Sequence, residues 1–306
     1  MISYIWNAII ITFEQLIILL GPALLLAFIM NYFALLVRIM QQRLIKNSFL
    51  DWFCAPGIIV HELGHAFFCV VFGHRIMRMN LFRPGSHDGT LGYVEHAFDP
   101  GSLYQRVGNF FIGTGPIWFG TIVIYLMSRY ILDASAFNSI RDIELTTDTL
   151  SSWSGVVFVA HNIINMVLSV IQSMFNFQLF SRWEFYIFIY LAFVIGNNIT
   201  LSLPDIRNSA DGLIVLIVIL LIFNLCTSFM GDFSIEFVKG LSKTYTLFIS
   251  FMLFALILNI LISLTLFTLS FGGIFVTQKL KSKSQKRKYF FIPVKSAIDS
   301  GGKKAS

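Results

Sequence analysis

A chain of 306 residues that is 56% hydrophobic and only 12% charged has too few polar side chains to clothe a soluble globule of its size. The formal charge of +6 does not point to nucleic acid, because many of the 22 basic residues gather from Lys279 onward, after the last apolar run, with no folded surface beside them. These balances exclude a soluble enzyme and a nucleic-acid binder, and leave a multi-pass integral membrane protein whose first partner is the lipid bilayer.

In chain order, residues 1–13 are apolar and aromatic, and residues 15–37 form a first span longer than the roughly 20 residues that cross a bilayer. Gly21-Pro22 predicts a kink or a break there, since proline removes a helical donor. Arg38, Arg43 and Lys46 follow as a short basic loop. The second apolar run, 49–72, contains Pro56-Gly57 and, a turn later, His61-Glu62-Leu63-Gly64-His65. From His74 to Gln105 charge rises and glycine and proline appear. Residues 75–81 and 90–95 alternate as strands around a turn at 83–89, which predicts a β-hairpin insertion over about 74–98 near the membrane surface.

A third span, 107–130, carries Gly113-Thr114-Gly115-Pro116, small residues that let helices approach closely. A polar, acidic loop at 132–152 leads to a fourth span, 153–175, with His161, Asn162 and Asn165. A shorter fifth segment, 185–199, ends at Asn197-Asn198. The polar stretch 202–212 holds Asp205 and Asp211, and a sixth span at 213–230 and a seventh at 244–276 complete the pattern. The fold class is therefore all-α and polytopic, with about six to seven transmembrane helices and a small β-hairpin after the histidine helix. One membrane domain covers 1–278, and residues 279–306 form a basic tail that the positive-inside rule places in the cytoplasm. Cys54, Cys69 and Cys226 lie in apolar runs without metal-ligand spacing and read as small hydrophobes.

His-Glu-x-x-His is the stretch that carries chemistry. On a helix, His61 and His65 share one face, so both imidazoles can reach one ion, with Glu62 beside them. Ionisable groups in a membrane-grade apolar segment are costly, which argues against their being structural filler. Catalytic zinc takes three protein ligands and leaves a place for water, so the pair needs a third. Asp205 leads, at a polar break before an apolar helix; Asp211 is the alternative, and His161 comes behind both. Each aspartate has a plainer reading as a helix N-cap. A topology of seven spans with a cytoplasmic tail puts the starts of the histidine helix and of the sixth span on one side, as a shared ion requires. The chemistry is metal-assisted hydrolysis with Glu62 as general base.

His61-Glu62-Leu63-Gly64-His65 in a membrane helix, Gly92-Tyr93-Val94 in a strand-like stretch, Gly113-Thr114-Gly115-Pro116 at the next span and a downstream aspartate together resemble the site-2 protease family of intramembrane zinc metalloproteases, as a divergent member. The resemblance covers roughly residues 50–230. It implies one Zn2+ per chain, a membrane-protein or peptide substrate, and a zinc metalloendopeptidase activity. Two other readings stand beside it: a metal-binding membrane transporter, and a non-catalytic scaffold that keeps a structural zinc.

Overall fold

The structure is a computed structural model that describes residues 2–44, 47–86, 90–131, 177–227 and 245–268, with scattered helical positions between 157 and 172. The acidic loop at 132–152, most of the fourth span and the basic tail lie outside the described residues.

Helix α1 (Ile2–Leu44) runs without interruption through Pro22, which costs it a donor but does not divide it. Helix α2 (Asn47–Val71) contains both Pro56 and the histidine motif. Strands β1 (Arg75–Asn80) and β2 (Tyr93–Ala97) pair antiparallel, from Arg75 opposite Ala97 to Asn80 opposite Tyr93. The third apolar segment is broken: α3 (Leu103–Gly113) and α4 (Gly115–Ile131) meet at Thr114 with a bend of 61°. After the single turn Phe177–Phe180 come α5 (Trp183–Gly196), α6 (Leu203–Thr227) and α7 (Tyr245–Thr268).

Four of these helices, α1, α2, α6 and α7, are long and apolar enough to cross a membrane, and α3 with α4 makes a fifth if the bent pair is one span. Most of the expected fourth span, 153–175, lies outside the described residues, and α5, with 14 residues, reaches only about 21 Å. Its second half, Ala192 to Gly196, is buried, whereas Trp183, Tyr186 and Ile187 in its first half are exposed. Phe188, Ala192 and Val194 of α5 pack with Met30 of α1 and with Met252, Phe254 and Ala255 of α7 in the main core.

Glycines set the distances around α2. A Cβ at Gly57 would overlap the Val194 carbonyl, so the α2 and α5 backbones touch. At Gly64 it would come within 3.0 Å of Gly115, which brings the start of α4 onto α2. The same device keys α3 to α6, where Gly113 faces Ser209 and Gly212 faces Phe110.

The expected β-hairpin is present, and it folds back along α2. Phe82 meets Trp52 edge-on with ring centroids 5.1 Å apart, and Gly85 N–H donates to Asp51 Oδ2 at 3.4 Å. The second strand begins three residues into the tract expected for it, with Gly92 packed against Glu62 rather than paired with β1. At the hairpin base, His74 Nε2–H donates to the Gln105 carbonyl at 2.8 Å, which leaves His74 Nδ1 to accept from His96 Nδ1–H at 3.0 Å.

Two outcomes follow from this packing. Gly57→Ala overfills the α2–α5 contact and costs about 1–3 kcal/mol. Thermal unfolding in detergent should show the loss, while Gly21→Ala, whose Cβ meets only Ile17 at 3.9 Å, leaves the midpoint in place or raises it. The second outcome concerns pH. Burial, then His74 and His65, hold the His96 imidazole down to about 4. An undocked hairpin takes up that proton near pH 6.5, so docking loses stability as pH falls from about 6.5 towards 4 and keeps it in full above that window. Hydrogen exchange over 75–97, corrected for intrinsic rates, should rise across the window in the wild type and lose that dependence in His96→Gln. A hairpin equally protected at both ends refutes the assignment.

Candidate metal centre

The two histidines project from one face of α2, a turn apart, with their Nε2 atoms 3.2 Å from each other. Each ring is held by its other nitrogen. His61 Nδ1–H donates to the Asn198 carbonyl at 2.7 Å, and His65 Nδ1–H donates to the Ile112 carbonyl at 2.7 Å. A carbonyl only accepts, so both rings keep a proton on Nδ1 and turn bare Nε2 lone pairs towards one another. Two facing lone pairs make no hydrogen bond. A shared cation reconciles them.

Both carbonyls are available because helices end there. Ile112 lies in the last turn of α3, and the residue four positions on, whose amide would continue the helical ladder, is Pro116 with no N–H to give. Asn198 comes just past α5, whose C-cap is Asn197, so no further turn of that helix uses its carbonyl. The sequence signal for these two contacts was present but indirect, since a backbone atom has no residue identity of its own.

Asp205 joins the pair from the first turn of α6. Its Oδ1 lies 3.5 Å from His65 Nε2, and one ligand atom from each of His61, His65 and Asp205 falls within 4.8 Å of the others. The other oxygen, Oδ2, accepts from the Ser202 backbone N–H at 2.8 Å and from the Ser202 hydroxyl at 2.6 Å, and Ser202 Oγ accepts in turn from the Asp205 N–H at 3.3 Å. This is a capping box, with Ser202 as N-cap and Asp205 as third helical residue. The N-cap and ligand readings of Asp205 therefore do not compete, because separate oxygens serve them. Ser202-Leu203-Pro204-Asp205 is the sequence signal for this arrangement.

The spacing suits a small tetrahedral ion. Arms of about 2.0–2.1 Å at the tetrahedral angle separate donors by about 3.3 Å, close to what the imidazole pair already has. Among the described residues, no other trio of ligand-type side chains converges in this way. Asp211 is turned elsewhere: Arg106 Nη2 holds its Oδ1 at 2.9 Å, and Arg106 Nε and Asn109 Nδ2 reach its Oδ2 at 3.5 Å. His161 occupies an exposed helical position and is not in the group.

Glu62 is only 7% exposed, and its carboxylate is roofed by Gly92, where a Cβ would come within 2.9 Å of Oε1. The absence of a side chain at 92 leaves the acid its place. Comparison of the chain with known families, curated proteins and solved structures yields no match.

Metal analysis of the purified protein tests this geometry. His65→Ala and Asp205→Ala should lose the bound ion, and Ser202→Ala, which frees the ligating carboxylate to rotate, should weaken binding about 10- to 100-fold. Asp211→Ala should retain it; loss there with retention in Asp205→Ala reverses the assignment.

Proposed function

We propose that the chain is an intramembrane zinc metallopeptidase of site-2-protease type, hydrolysing peptide bonds of membrane-embedded substrates. The observation that carries this reading is the pair of bare Nε2 lone pairs, joined by one Asp205 oxygen and flanked by Glu62, inside a helix apolar enough to span a bilayer. A topology of six to seven spans with the basic tail in the cytoplasm belongs to the same proposal.

His61, His65 and Asp205 hold the zinc. Bound there, zinc supplies a Lewis acid that polarises a scissile carbonyl and lowers the pKa of water towards about 7. Glu62 takes the proton from the attacking water and passes it to the leaving amine. Its burial under Gly92 keeps bulk solvent from competing for that proton. The Ile112 and Asn198 carbonyls keep both imidazoles in the tautomer that binds a cation, so the rings need no rearrangement when the ion arrives.

A substrate helix must unwind before its peptide bond is exposed. The two-stranded sheet has outer edges to which an extended segment can add as a further strand. A structural zinc needs a fourth protein ligand, and among the described residues only three come together, which favours the open, catalytic form over the scaffold. A transporter spreads polar groups along a path, whereas here the ligands gather at one point.

Zinc content and cleavage of a transmembrane substrate in detergent separate these readings. Glu62→Gln should keep one zinc per chain and lose cleavage by about 100- to 10,000-fold. Cleavage at the wild-type rate by Glu62→Gln, or metal flux into proteoliposomes that survives it, sinks the proposal.

A further inference from the structure

A recess of about 480 Å3, within the range of roughly 300–1,000 Å3 typical of small-ligand sites, lies beside the metal centre. It is enclosed by the end of α1, the start of α2, the hairpin turn and the segment that follows α5. Three of its lining residues connect it to the chemistry. Ile58 sits a turn before His61, Leu91 precedes the glycine that roofs Glu62, and Asn198 supplies the carbonyl that orients His61.

Some of its polar groups lack a partner among the described residues. Gln41 is 7% exposed, and no hydrogen bond joins its amide to another described residue. Asn197 Oδ1 is buried without a partner. Arg38 has no carboxylate within ion-pair reach among the described residues. The one acid in the lining, Asp51, takes the Gly85 N–H of the hairpin turn. Buried amides without partners cost free energy that an occupant can recover. Gln41 offers a donor and an acceptor, the pair of functions a peptide main chain presents, and a guanidinium is a planar fork that fits a carboxylate.

We propose that this recess is the subsite for an unwound peptide segment next to the bond to be cut, and that Arg38 receives a carboxylate of that segment. The proposal rests on the metallopeptidase reading for what is cut, but not for what is bound. An acidic side chain and a peptide C-terminus present the same acceptor pair, so either can be the source.

The test uses the full chain in detergent with Glu62→Gln as background, so that the probe survives. Fluorescein-labelled alanine-serine peptides are compared by anisotropy, with a free or amidated C-terminus and with or without one internal aspartate. One carboxylate form should bind about tenfold more tightly than the neutral peptide, and the form that does so names the source. Arg38→Gln should erase that preference while zinc content and neutral-peptide affinity stay unchanged, and Gln41→Leu should weaken all four peptides several-fold. No preference in the parent protein, or a preference that persists in Arg38→Gln, overturns the subsite. If the wild type then still cleaves, the peptidase reading stands without it. A carboxylate preference in a chain that holds no zinc and cuts nothing upholds the subsite and removes the peptidase.

Discussion

A neutral imidazole keeps its proton on one nitrogen and offers a lone pair from the other, so a carbonyl that accepts from Nδ1–H decides that Nε2 is the bare one, and around α2 both such carbonyls come from places where helices stop. In a membrane protein a broken helix is a liability, because carbonyls at the break find no water. Here the break between α3 and α4 and the end of α5 each leave a carbonyl, and each meets an imidazole N–H at 2.7 Å. The cost of interrupting a helix and the need to fix a tautomer cancel each other. Pro116 makes this stable at one of the two sites, since it denies Ile112 the amide partner that would draw its carbonyl back into a regular ladder.

Such short contacts demand close helices. Gly57, His61 and Gly64 recur at spacings of four and three, so the face of α2 that carries ligands also carries its smallest residues. Gly57 lets the α5 backbone approach and Gly64 lets the start of α4 approach, on either side of the first histidine. Bulk at either position pushes away the helix whose end supplies, or neighbours, the carbonyl. Packing and tautomer are thus one constraint seen at two scales. Helix α6, which carries Asp205, is registered independently, through Gly113 and Gly212 and the Arg106–Asp211 pair, onto the same α3 that orients His65.

Much of the architecture can be read from residue order, and the limits of that reading have physical causes. Helical spacing alone puts His61 and His65 on one face, and apolar length alone marks α1, α2, α6 and α7. Hydropathy counts apolar residues and not turns, so it shows neither the 61° bend between α3 and α4 nor the end of α5 after 14 residues. The alternation that announces the hairpin says nothing of which helix it lies against, and Gly92 leaves the second strand because of a glutamate thirty positions earlier. Asp205 and Asp211 are hard to rank locally: both sit in one polar stretch, and what occupies Asp211 is Arg106, far away in the chain. Ser202 could have been found from its spacing to Asp205, whereas the Ile112 and Asn198 carbonyls leave only indirect marks.

The two oxygens of Asp205 face different neighbours. One oxygen seals the first turn of α6 and the other faces the two imidazoles, so the beginning of a long helix and the candidate centre share a single side chain. Any force that fixes one oxygen restricts the other, and for the ion proposed above reciprocity means that an ordered helix start would raise its affinity as much as the ion would steady the helix start. A protein or lipid that grips the polar stretch before α6 therefore has a direct mechanical handle on the centre, without ever approaching it.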